Sequence, residues 1–159
     1  MKIPLGAIIV SSFAIVWTAA GARTLGRRWS MFFILLSILI SFGVIYAGGH
    51  IAPAHPPIFN AKAYSTSVAV ELVLILLAIV FLRKADRKDL LLPVISIIVG
   101  LHFFGMVAAL GSNFYWWIGG AMCLWPIVTM SIWPRNVWGP VVGLGCAVIL
   151  WSAAICAFF

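Results

Sequence analysis

The sequence predicts an all-α fold, a polytopic transmembrane helical bundle of six helices with both termini outside. Three observations carry this prediction. The chain has 159 residues, 65% of them hydrophobic and 8% charged, with a mean hydropathy of +1.20; a soluble domain of that size needs a far more polar surface. Six apolar stretches approach the roughly 20 helical residues that cross a hydrocarbon core of about 30 Å. The basic residues gather in alternate connections between those stretches, as cytoplasmic segments do.

The first stretch, residues 4–22, follows Lys2 and ends in Ala20-Gly21-Ala22. That pattern also fits a signal peptide with a small-residue cleavage site. Arg23, Arg27 and Arg28 follow at once. Positive charge just after an apolar run resists translocation, which favours a retained helix ending in the cytoplasm.

The second stretch, 31–49, leads into the longest connection on the opposite side, residues 48–57, Gly-Gly-His-Ile-Ala-Pro-Ala-His-Pro-Pro. Its three prolines exclude regular helix. His50 and His55 lie five residues apart, short of the three or four ligands a rigid metal site takes. A stiff exposed turn accounts for the segment; an external gate or a weak metal site is the sharper reading, and the metal is left unknown.

The third and fourth stretches, 64–82 and 90–110, flank the charged turn Arg83-Lys84-Ala85-Asp86-Arg87-Lys88-Asp89. The fifth, 114–133, contains Trp125-Pro126, and proline there removes a backbone donor and favours a kink. The turn Pro134-Arg135-Asn136-Val137-Trp138 joins it to the sixth, 139–159. No soluble domain interrupts the chain, so residues 1–159 read as a single transmembrane domain.

Eight of the ten basic residues fall in the first, third and fifth connections, leaving Lys2 and Lys62 for the other side. This bias places both termini outside and the basic connections in the cytoplasm. A bacterial plasma membrane fits such a chain. Tyr46, Tyr64 and Tyr115, with Trp116 and Trp117, then mark the outer interface, and Trp29, Trp133 and Trp138 the inner one, as aromatic belts that anchor the bundle in lipid.

Small residues suggest how the helices pack. Gly139 and Gly143 have G-x-x-x-G spacing, with Gly145 close by; Gly100 and Gly105 flank His102, and Gly119-Gly120 lies in the fifth stretch. Glycines let backbones approach closely in lipid, where burial from water adds no drive.

The net charge of +7 belongs to loops beside lipid headgroups and leaves no basic face for a nucleic acid. Cys123, Cys146 and Cys156 lie in apolar stretches without C-x-x-C spacing and read as packing residues. There is no phosphate loop, nucleophile elbow or zinc motif. No cofactor is expected; a bis-histidine haem would need a second imidazole inside a helix core.

Glu71 and His102 are the candidate site. Glu71 lies 15 residues before Asp86 and His102 lies 16 after it, so in an antiparallel pair rising about 1.5 Å per residue they share one depth, in the outer half. An ionised carboxylate there is costly unless it pairs, meets water or takes up a proton. Tyr64, Ser67, Asn113 and Trp117 are the candidate lining residues. Function as a transporter, channel-like or ligand-binding protein, with a small molecule or ion of unknown identity, leads on these grounds. A structural hydrogen bond that fixes register is the plainer account. A non-catalytic membrane assembly or partner-binding protein is the alternative. An intramembrane enzyme acting on a lipid-like substrate ranks last, since no nucleophile accompanies the pair. Membrane lipids are the expected partners. The short chain also suggests a homodimer, which crosslinking in membranes would detect.

Finally, Val99-Gly100-Leu101-His102-Phe103-Phe104-Gly105, followed by Tyr115 and Gly119-Gly120, resembles a segment of a family of small uncharacterised bacterial six-helix membrane proteins. The family continues with proline after the aromatic pair, where this chain has Gly105-Met106. The resemblance covers about residues 99–120. It implies a six-helix bundle and adds weight to His102, without implying a chemistry.

Overall fold

The structure, a computed structural model, describes residues 5–50 and 59–156. The described residues form six α-helices and no strand: α1 (Leu5–Ala22), α2 (Arg27–His50), α3 (Ala61–Lys84), α4 (Leu91–Leu110), α5 (Phe114–Ile132) and α6 (Trp138–Cys156). Single 3₁₀ turns, Lys88–Leu90 and Arg135–Val137, lead into α4 and α6. Five helical stretches are long and apolar enough to cross a membrane, and α1 contributes a shorter apolar run, Ile8–Ala22. The chain is a multi-pass membrane protein.

Several helices outrun their apolar stretches. α2 begins at Arg27, four residues before the expected start, and α3 takes in Lys62 at one end and Arg83 and Lys84 at the other. Hydropathy marks the part of a helix that sits in hydrocarbon. Arginine and lysine are good helix formers and carry the same helix onward into the headgroup zone. α5 runs unbroken through Pro126.

The helices form two compact units. One comprises Met1–Pro56 with Gly139–Phe159, and the other Pro57–Trp138. Thus α1, α2 and α6 make one unit and α3, α4 and α5 the other, a grouping different from the sequential halves α1–α3 and α4–α6.

In the first unit α1 and α6 touch through glycine. A Cβ added to Gly21 would stand 2.9 Å from the Cα of Gly143, so neither position has room for a side chain. The G-x-x-x-G spacing of α6 therefore meets a glycine of α1. Ser41 of α2 ties the three helices together: its hydroxyl donates to the Ser11 carbonyl of α1 at 3.0 Å and accepts from the Trp151 indole of α6 at 3.0 Å.

In the second unit α4 is central, packing against both α3 and α5. Its seam with α5 is also glycine-built: a Cβ on Gly100 would meet the Gly119 carbonyl oxygen at 2.9 Å. The Ser96 hydroxyl donates across this seam to the Met122 carbonyl at 2.8 Å. α4 ends at Gly111, whose left-handed backbone (φ 65°) lets its N–H return to the Val107 carbonyl, the usual way a helix is closed by glycine.

One aromatic departs from the belt expectation. Trp138 is only 7% exposed, and its indole N–H donates to the Trp133 carbonyl at 2.8 Å. The Arg135 guanidinium lies 5.8 Å from its ring centroid. Trp138 thus closes the turn between α5 and α6 rather than facing lipid. Trp29, Tyr46, Trp116 and Trp117 are exposed, as lipid-facing residues are.

Candidate functional site

The α3–α4 hairpin sets the site, and it is fixed at both ends. At one end Asn60 caps α3, its side-chain oxygen accepting from the Ala63 N–H at 3.1 Å. The Asn60 backbone N–H donates to the Ala109 carbonyl of α4 at 2.8 Å. At the other end the Arg87 N–H returns to the Leu82 carbonyl at 2.9 Å, past Asp86 with φ 50°. With both ends held and the rise per residue constant, the register between the helices is determined.

That register brings Glu71 to His102. The Glu71 Oε2 lies 3.4 Å from the His102 Nδ1, and their side chains are 15% and 10% exposed. Glu71 is ten residues into α3, a helix of 24 residues, or about 15 Å from its start. The same ring nitrogen lies 3.0 Å from the Ser67 hydroxyl oxygen, and that hydroxyl is also 3.3 Å from the His102 carbonyl. Ser67 therefore has two alternative acceptors. Gly105, one turn on from His102, makes this approach feasible, since a Cβ there would collide with the Ser67 side chain.

Glu71 and His102 border a groove of about 560 Å³ between α3 and α4, within the range of small-molecule sites. Asn60, Lys62 and Thr66 lie toward one end, and Leu74 and Ile98 toward the other. A second, apolar hollow of about 540 Å³ shares Leu74 and follows α3 past Leu77 and Phe81 to Lys84.

Of the remaining described candidates only Ser67 joins the pair. Ser67 lines the groove; Tyr64 instead packs on Phe59, with ring centroids 5.5 Å apart. Asn113 is exposed just before α5, and Trp117 is 78% exposed. His50 ends α2, exposed and edge-on to Tyr46, while His55 lies outside the described residues. The sequence reading missed Asn60, Lys62 and Thr66. For Asn60 the signal was the helical spacing from Glu71 back through Ser67 and Ala63; Lys62 and Thr66 lie off that spacing.

Among the described residues no group of three or more His, Cys, Asp or Glu side chains is placed to hold a metal. What the arrangement offers is a carboxylate and an imidazole able to share or pass a proton, with a hydroxyl that can turn between two acceptors. Compared with known proteins, the chain matches no family model, and neither a curated protein nor a solved structure shows detectable similarity to it.

Proposed function

We propose that this is a small proton-linked transporter or ligand-binding protein of a bacterial plasma membrane. In this reading all six helices span, both termini face outside, and the α3–α4 groove takes a small ligand against Glu71 and His102. The observation that carries it is the 3.4 Å approach of Oε2 to Nδ1 on the wall of a 560 Å³ groove. A purely structural pair is better served by a closed, dry contact, because partial satisfaction of buried polar groups is costly. A groove beside the pair provides access that a register-fixing contact does not need. Charged side chains are rare within membrane spans and cluster at ion and substrate paths.

Infrared difference spectroscopy against pH tests the proton reading. The chain has only three Asp and Glu residues, so the Glu71 carboxyl band is resolvable. It should titrate in the native protein, vanish in Glu71→Gln and move in His102→Ala. Identical pH-difference spectra for native protein and Glu71→Gln would remove the reading.

A further inference from the structure

Building on the ligand-site reading, we infer that the groove selects a lipophilic primary amine, whose ammonium head replaces one proton on the Glu71–His102 pair.

The first ground is hydrogen-bond supply. A carboxylate can accept about four hydrogen bonds. Glu71 has one contact among the described residues, at 3.4 Å, whereas charge-assisted contacts of this kind close to about 2.7–2.9 Å. The carboxylate is thus short of donors, on the wall of a groove large enough for a ligand. An ammonium brings three donors and a positive charge; an anion brings neither.

The second ground is charge. A net charge within hydrocarbon is costly, so the unliganded pair holds one proton between its two members and is neutral. When R–NH₃⁺ docks on the Glu71 carboxylate, it supplies the positive charge and the pair releases its proton to solvent. One cation enters and one proton leaves, so the site remains neutral.

The third ground is Ser67. While Nδ1 carries a proton and donates to Glu71, the Ser67 hydroxyl donates to the His102 carbonyl at 3.3 Å. When Nδ1 loses it, the hydroxyl turns to Nδ1 at 3.0 Å. The imidazole therefore keeps a partner in both states. The other charged group lining the groove is Lys62, at its Asn60 end. From α5, Tyr115 stacks on Phe103 and the Cys123 thiol donates to the Ile97 carbonyl; neither lines the groove.

The fourth ground is the body of the ligand. Beyond Glu71 the groove meets the hollow over Leu74, Leu77 and Phe81. Glu71 to Phe81 is ten residues, about 15 Å of apolar helix face, which suits an alkyl tail.

The test uses the full-length protein in lipid nanodiscs, with empty nanodiscs as the partition control. Decylammonium, decanol and decanoate share one tail and differ in the head. Saturable decylammonium binding should be at least tenfold tighter than either analogue, with about one proton released per amine bound. Glu71→Gln should lose it more than tenfold, and Ser67→Ala should weaken it less. Equal binding of decanol or decanoate, unchanged binding by Glu71→Gln, or binding without proton release would overturn the assignment. Circular dichroism confirms that each variant is folded. The infrared titration separates the two levels: if Glu71 titrates but no amine binds, only the substrate class falls.

Discussion

Alanine at two adjacent glycines of α5 separates close packing from helix propensity, and so tests how α4, the carrier of His102, is seated. A Cβ at Gly119 would lie 2.7 Å from the Gly100 carbonyl oxygen. That atom is backbone and cannot swing aside. Ordinary contact begins at 3.4 Å, so α5 must withdraw by about 0.7 Å, and a gap of about 0.5–1 Å forfeits a quarter to a half of the attraction of each contact affected. The Ser96–Met122 hydrogen bond spans the same seam, and such bonds average about 0.6 kcal/mol in membrane proteins. Together with overpacking strain, the cost is about 1–3 kcal/mol. At Gly120 an added Cβ meets nothing within 4 Å. Both substitutions gain the same helix propensity, about 1 kcal/mol, so the difference between them isolates the packing cost. Reversible unfolding in mixed micelles with increasing dodecyl sulfate measures it: Gly119→Ala should unfold earlier than native and Gly120→Ala no earlier. Equal midpoints for the two variants would refute the account of the seam.

Gly105→Ala should act on the site rather than on stability. Its Cβ displaces the Ser67 hydroxyl, losing about 0.6 kcal/mol of hydrogen bonding but gaining up to about 1 kcal/mol of propensity. Unfolding should shift by less than about 1 kcal/mol while the ¹⁵N resonance of His102 Nδ1 moves; an unmoved resonance would show that Ser67 does not serve that nitrogen. Topology is open to cysteine labelling in a cysteine-free background. Ala85→Cys should react with an impermeant maleimide only in opened cells, and Ser112→Cys in intact ones. The reverse pattern would invert the orientation.

The meeting of Glu71 and His102 was legible because a short turn and a constant rise convert residue counts into depth. Ser67 and Gly105 were legible for the same reason, as neighbours one turn away on the same faces. Asn60 was harder to find, because its part in the hairpin is a backbone hydrogen bond to Ala109 that hydropathy does not register. The spacing of Gly139 and Gly143 marked a close approach, but its partner, Gly21, is more than a hundred residues away and no local pattern links them. Trp138 was misassigned for a related reason. Tryptophan beside an apolar stretch has the composition of a lipid anchor, and only the Trp133 carbonyl, brought near by the turn, makes it a clasp. Helix ends were legible to within a few residues, since arginine and lysine leave the hydrocarbon without leaving the helix.

The division into units also bears on biosynthesis. The groove-bearing unit is one uninterrupted run, Pro57–Trp138, whereas the other joins helices from either side of that run. A ribosome therefore delivers every residue of the hairpin, its cap and its glycine seam before α6 exists. α1 and α2 precede it, yet Gly21 meets Gly143 and Ser41 meets Trp151 only after more than a hundred further residues have been translated. In the order of synthesis, the unit that holds Glu71 and His102 can close before α6 emerges, while α1 and α2, already joined through Ser41 and Ser11, gain their third helix only afterwards.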